Sequence, residues 1–370
     1  MLHCSSRPFL ILLLVLGPLL PLHGQTAAPA SAGQPQANKP ETQQPLDVDR
    51  DPVVSPDAAD NEPVSPGHLG RGETMEHTGH GYTLLRNVDE VVLNATVVDS
   101  SDRQVNDLAR NDFKVWEDGT PQTLTGFQHQ DVPVSMGIVI DNSGSMRDKR
   151  AAVNAAALDL VRASNREDEA FVVNFSDEAY IDQDFTSEIP KLQEGLSHID
   201  SRGGTALYDA VVASADQLTK NAKRTKQVLL IITDGEDNAS SLTLEQTIRR
   251  IQSLQGPVVY SIGLLFGEDS GGRESHRAKR ALQLLSDETG GLAFFPRSLA
   301  DVDPIAAEVA RDIRNQYTLG YHSTKPESEG GYRTVKVEAH ASGRGKLMVR
   351  TKSGYYPKAE AAPSTTAAAK

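Results

Sequence analysis

The chain has almost no cysteine, few aromatic residues and a deficit of cations. One cysteine, Cys4, and one tryptophan, Trp116, occur in 370 residues. A lone thiol excludes an internal disulfide framework and a thiolate metal site. Lys and Arg number 37 against 50 Asp and Glu, for a net charge of -13 at pH 7. This balance excludes nucleic acid as the main partner, because phosphate binding needs Lys and Arg clustered on one face. Beyond residue 24 no apolar run approaches the roughly 20 residues that a membrane helix requires. What is present is ordinary for folded protein, 38% hydrophobic and 24% charged. The length suffices for about two domains of the usual size.

Residues 1–24 place His3 and Arg7 ahead of FLILLLVLGPLLPL and end on small residues near Gly24, the pattern of a cleaved secretory signal peptide, with a retained anchor as the alternative. Cys4 would leave with it. The mature chain is therefore expected to be extracytoplasmic, secreted or periplasmic, with no membrane span. Residues 25–81 are rich in Pro, Ala and Gln; they cannot bury enough apolar surface to fold and read as a disordered linker. His68, His77 and His80 in that stretch have no carboxylate at fixed spacing and read as solvated rather than metal-binding.

From 82 to 130 the runs VVLNATVVD, DFKVWEDG and TLTGFQ read as short strands, with Asp118-Gly119 as a hairpin turn. Trp116 in the second run reads as core or edge packing. Residues 133–316 then alternate VSMGIVI, EAFVVNFS, QVLLIIT and PVVYSIGLL with amphipathic stretches such as RDKRAAVNAAALDLVRAS and TALYDAVVASADQLTK. Continuous apolar strands between such helices predict an α/β domain with a doubly wound, mostly parallel sheet. At 317–357 the β pattern returns as YTLGYH, RTVKVEAH and KLMVRTKSGYY. This segment is expected to pair with 82–130 into a small all-β domain into which the α/β domain is inserted. Residues 358–370, rich in Ala, Ser and Thr, read as a disordered tail.

In a doubly wound sheet, ligands bind beyond the carboxyl ends of the strands. Three polar loops fall there: DNSGSM (141–146), RGGTALYD (202–209) and TDGED (233–237). Together they offer Asp141, Ser143, Ser145, Thr205 and Asp234, an all-oxygen set. Oxygen donors suit a hard cation, Mg2+ first, with Mn2+ or Ca2+ as alternatives; zinc is disfavoured without His or Cys. Residues two apart in an extended turn point the same way, so Asp141, Ser143 and Ser145 can converge. Each loop also has a structural reading. Ser145 to Asp148 fits a capping box, Thr205 an N-cap and Asp234-Gly235 a turn that ends a strand.

DNSGSM, GGT and TDGED, in that order and spacing, resemble the metal-ion-dependent adhesion site of the von Willebrand factor type A domain, a Rossmann-like fold. The resemblance covers 133–316. It implies that Ser143 and Ser145 coordinate the ion directly, that Thr205 does so in a ligand-ready state, and that Asp141 and Asp234 act largely through water. It also implies a last helix, here 299–316, that moves when ligand binds. The flanks, with DFKVWEDGTPQ before the domain and a closing GYY, are similar to those of secreted bacterial proteins that carry this domain.

The expected function is therefore non-enzymatic. It is an exported, Mg2+-dependent protein-binding module for adhesion or envelope assembly, its ion completed by an Asp or Glu of a partner protein. A metal-dependent hydrolase would need a base; neither GxSxG nor HExxH occurs. A scaffold with a vestigial site is a further alternative, as is a subunit of a chelatase or ATPase-linked machine.

Overall fold

The computed structural model describes residues 74–78, 81–85, 90–163, 165–198, 201–266 and 271–357. The expected signal peptide, most of the expected linker with His68 and His80, and the tail lie outside them. Within 25–81, however, β1 (Thr74–Thr78) pairs antiparallel with β2 (Gly81–Leu85). The linker boundary therefore moves N-terminal.

The N-terminal flank continues with β3 (Glu90–Val98), β4 (Phe113–Glu117), β5 (Thr120–Gln122) and β6 (Leu124–Gln128). Between β4 and β5, Asp118 and Gly119 both take positive φ, 47° and 78°, as the predicted hairpin turn requires.

The central domain comprises β7 (Val134–Asp141), α1 (Arg150–Ala163), β8 (Glu169–Phe175), β9 (Ala179–Thr186), α2 (Ile189–Ser197), α3 (Leu207–Asn221), β10 (Lys226–Thr233), α4 (Leu244–Ser253), β11 (Val258–Gly263), α5 (Arg273–Asp287), β12 (Ala293–Phe294) and α6 (Val302–Arg314). Its sheet has the order β12-β11-β10-β7-β8-β9. Every pairing is parallel except that of β8 with β9.

The continuous apolar strands are explained by burial on both faces. Ile138 and Ile140 of β7 point into a core shared with α1, α2 and α6. Val139 points the other way, into a core with Leu207 and Val211 of α3, Ile251 of α4 and Leu282 of α5. The period of two along a strand thus serves two cores at once.

The C-terminal flank contributes β13 (Tyr317–His322), β14 (Arg333–Ala339), β15 (Met348–Arg350) and β16 (Gly354–Tyr355). These strands join those of the N-terminal flank in two four-stranded sheets, β15-β3-β13-β6 and β16-β14-β4-β5. Leu93, Val115, Leu319 and Val337 share one core, so the two sheets face each other. Trp116 is half-buried on β4, with the Lys336 ammonium 5.6 Å from its ring centroid.

Candidate metal centre

The sheet's strand order reverses between β7 and β10. The chain leaves β7 toward α1 and β8 on one side, and leaves β10 toward α4 and β11 on the other. Such a switch point opens a crevice at the carboxyl ends of the strands. Asp141 ends β7 and Thr233 ends β10, and the Thr233 hydroxyl donates to Asp141 Oδ2 at 2.6 Å. The other oxygen, Oδ1, accepts the Ser143 amide at 2.8 Å, which folds the DNSGSM loop back over the strand end.

From there the hydroxyls form a chain. Ser143 Oγ lies 3.1 Å from Ser145 Oγ, and Ser145 Oγ donates to Asp234 Oδ1 at 2.7 Å. The ammonium of Lys149 pairs with Asp234 Oδ2. Four of the five expected residues are thus joined in one hydrogen-bonded set across two loops.

Thr205 comes in from the third loop. A Cβ placed on Gly235 would lie 3.4 Å from its Oγ1, which sets the Thr205 hydroxyl beside the loop that carries Asp234. The two preceding glycines have a cause. Gly203 has φ +78°, and a Cβ there would stand 2.2 Å from Asp177 Oδ2; one on Gly204 would stand 2.6 Å from Asn238 Oδ1. Asp177 and Asn238 wall the loop because they hold it. Asp177 accepts the Gly204 amide at 2.7 Å, and Asn238 accepts the Thr205 amide at 2.9 Å. Asn142 adds a third brace, its side-chain oxygen accepting the Ser201 amide at 3.2 Å.

The capping readings are overturned. Ser145 lies within a 3-10 turn, Gly144–Met146, and α1 starts only at Arg150; its hydroxyl goes to Asp234 instead. The N-cap of α3 is Ala206, so Thr205 does not cap that helix. With neither serine nor threonine engaged at a helix end, the hydroxyls remain available to the crevice.

Burial pushes the Asp141 carboxyl up to about 6, and the nearby Asp234 pushes in the same direction; the bonds from Thr233 and Ser143 oppose the rise. Behind Asp141 the fully buried guanidinium of Arg150 donates to Asn174 Oδ1 at 2.7 Å. Burial lowers it to about 10, while Asp141 and Asp182 hold it up. A buried cation thus faces a buried anion beneath the loops.

The donor set fits a hard divalent cation. All five side chains offer oxygen, and Ser145 lies within hydrogen-bond distance of both Ser143 and Asp234. Among the described residues no group of three or more His, Cys, Asp or Glu is placed to hold a metal.

Sequence reasoning missed Thr233, Asp177, Asn238, Asn142 and Lys149. Asp177 alone carried a usable signal, because FSDE follows an apolar strand at the same edge of the sheet.

A doubly wound sheet whose switch point carries hydroxyls and carboxylates from three loops defines an α/β domain with an all-oxygen crevice at its strand ends. Residues 136–236 match the sequence profile of the von Willebrand factor type A domain, and the chain carries a domain of that family. Calcium-activated chloride channel regulator 3A-1 of Mus musculus is 29% identical over 167 residues, 43% of this chain and 17% of that protein's length. This chain therefore spans only a small part of that relative.

Among solved structures, the von Willebrand factor domain of the type V pilus tip protein Mfa5 from Porphyromonas gingivalis is 13% identical. The match covers 50% of this chain and 95% of that one, with a TM-score of 0.41. A von Willebrand factor type A protein from Catenulispora acidiphila is 14% identical over 68% of this chain and 74% of its own, with a TM-score of 0.43. Proximal thread matrix protein 1 from the mussel byssus, with a zinc-occupied adhesion-site motif, is 17% identical over 54% of this chain and 50% of its own, with a TM-score of 0.42. Likenesses this distant carry no functional argument.

No helix among the described residues is long and apolar enough to cross a membrane.

Proposed function

We propose that this chain is an exported, non-enzymatic protein-binding module that works through a divalent cation held by Asp141, Ser143, Ser145, Thr205 and Asp234. The observation that carries the reading is the convergence of Ser143, Ser145 and Asp234, since Ser145 and Asp234 meet across 89 residues of sequence. When bound, the cation supplies an electron-poor coordination position that a carboxylate of a partner protein completes. The chemistry of the donors favours Mg2+, with Mn2+ or Ca2+ as alternatives.

The protein's own residues set that preference. Neutral hydroxyls donate without cancelling the ion's charge, and Asp141, recessed at the end of β7, orients the serine loop through the Ser143 amide. Export is read from residues 1–24, and adhesion or envelope assembly is the role such a module would serve.

Calorimetry with MgCl2, followed by capture of proteins from the native extracellular fluid in Mg2+ or EDTA, tests this. Wild type should bind Mg2+ and retain partners only in Mg2+, and Asp141→Ala should do neither while staying folded. Partner capture that resists EDTA and survives in Asp141→Ala would reject the mechanism.

A further inference from the structure

We propose that Lys149 is a built-in counter-ion of this centre, with which any divalent cation must compete for Asp234. The inference rests on reading the site as a metal centre, and goes beyond it by naming a residue that sets the affinity.

The Asp234 side chain is fully enclosed, with Ser145 on Oδ1 and the Lys149 ammonium on Oδ2. Both oxygens are therefore engaged by groups of this chain. A carboxylate so placed needs a compensating charge, and Lys149 is the residue that brings one. Its side chain is 22% exposed, and an ammonium on a flexible four-carbon stem acts as a compact point charge.

That stem also gives Lys149 somewhere else to go. Its Nζ lies 5.7 Å from the centroid of the Phe266 ring, inside the roughly 6 Å at which an aromatic face attracts an ammonium. The lysine can give up Asp234 and stay seated over the ring. Two roles then make opposite predictions. If Lys149 merely orients Asp234 for the ion, its loss weakens binding. As a competing cation, its loss strengthens binding, because a positive charge beside the carboxylate no longer repels the incoming one.

The test uses the full chain as wild type, Lys149→Met and Lys149→Arg, titrated with MgCl2 by calorimetry and melted in EDTA and in Mg2+. Lys149→Met should bind Mg2+ about tenfold more tightly, the scale expected when one partly screened charge is removed from the neighbourhood of a divalent ion. It should also melt lower than wild type in EDTA, yet gain more from Mg2+. Lys149→Arg, which keeps the charge, should stay within about threefold of wild type on the same argument. Unchanged or weaker binding by Lys149→Met, with wild type still binding, overturns the counter-ion role and leaves the metal centre standing. Absence of Mg2+ binding by wild type and both variants overturns both.

Discussion

Asp141 is wholly buried and accepts hydrogen bonds from Thr233 and Ser143, yet burial raises its carboxyl from 3.8 to about 6. The sign of the consequence follows from linkage. Between those two values the folded protein binds the proton that the unfolded chain has released, so stability falls as pH rises through that window. Above about pH 6 the full penalty applies, up to about 3 kcal/mol for a shift of this size. Wild type in EDTA should therefore lose stability from this group between pH 4 and pH 7, Asp141→Asn should lack that loss, and the variant should not bind Mg2+. Thermal melts at the two pH values, with and without metal, check all three.

The five oxygen-bearing residues were legible because each sits in a short motif next to an apolar strand or amphipathic helix, and the edge rule for parallel sheets gathers such loops. Their supports were not legible in this way. Asp177 bonds to Gly204 across 27 residues, and Thr233 reads as the last residue of a strand until β10 is set beside β7. For Ser145 and Thr205, the helix-start pattern is genuine in the sequence, but the loop geometry directs their side chains elsewhere.

Among the elements, α6 is fastened most elaborately. Asp312 accepts Tyr260 Oη at 2.7 Å from β11, Gln104 Nε2 at 2.7 Å from the flank preceding the domain, and Arg350 Nη2 at 2.9 Å from β15. One carboxylate on this helix therefore ties the α/β domain to the β3–β4 loop on one side and to β15 on the other. Asp312→Ala leaves the buried Tyr260 hydroxyl and the half-exposed Arg350 without that acceptor. It should lower stability by about 2 to 3 kcal/mol and separate the unfolding of the two domains. Urea denaturation followed by both tryptophan fluorescence and circular dichroism would detect this, since Trp116 reports only on the β domain. Any movement of α6 coupled to ligand must first release these bonds.

Other elements escaped the sequence reading for physical reasons. β9, with AYIDQDFT, is half-buried along most of its length and lacks the apolar run that betrays a central strand. α5 buries only Ala278, Ala281, Leu282, Leu285 and Ser286, and its first turn is polar.

For the molecule as a whole, the decisive arrangement is that β13 lies between β3 and β6, and β14 between β4 and β16. The C-terminal flank supplies an interior strand to each sheet of the β domain. A chain ending at Gln316 should lose that domain and aggregate, because β3 and β4 would each present an unpaired edge. Residues 131–316 alone contain all five oxygen-bearing side chains and should bind Mg2+ as the full chain does, though at lower stability without the partners of Asp312. Calorimetry and size-exclusion chromatography on the two truncations check these outcomes.

The borders of the sheets bear on how the protein meets others of its kind. The six-stranded sheet ends on one side in β12, only two residues long, and on the other in β9, whose pairing with β8 slips register twice. In the β domain, β15 and β5 have three residues each and β16 has two, and the five-residue β6 slips register once against β13. Short or irregular borders give a neighbouring backbone little to template on, which suppresses strand-to-strand polymerisation between crowded copies. The backbone borders thus offer little to stick to, and recognition between molecules is left to side chains.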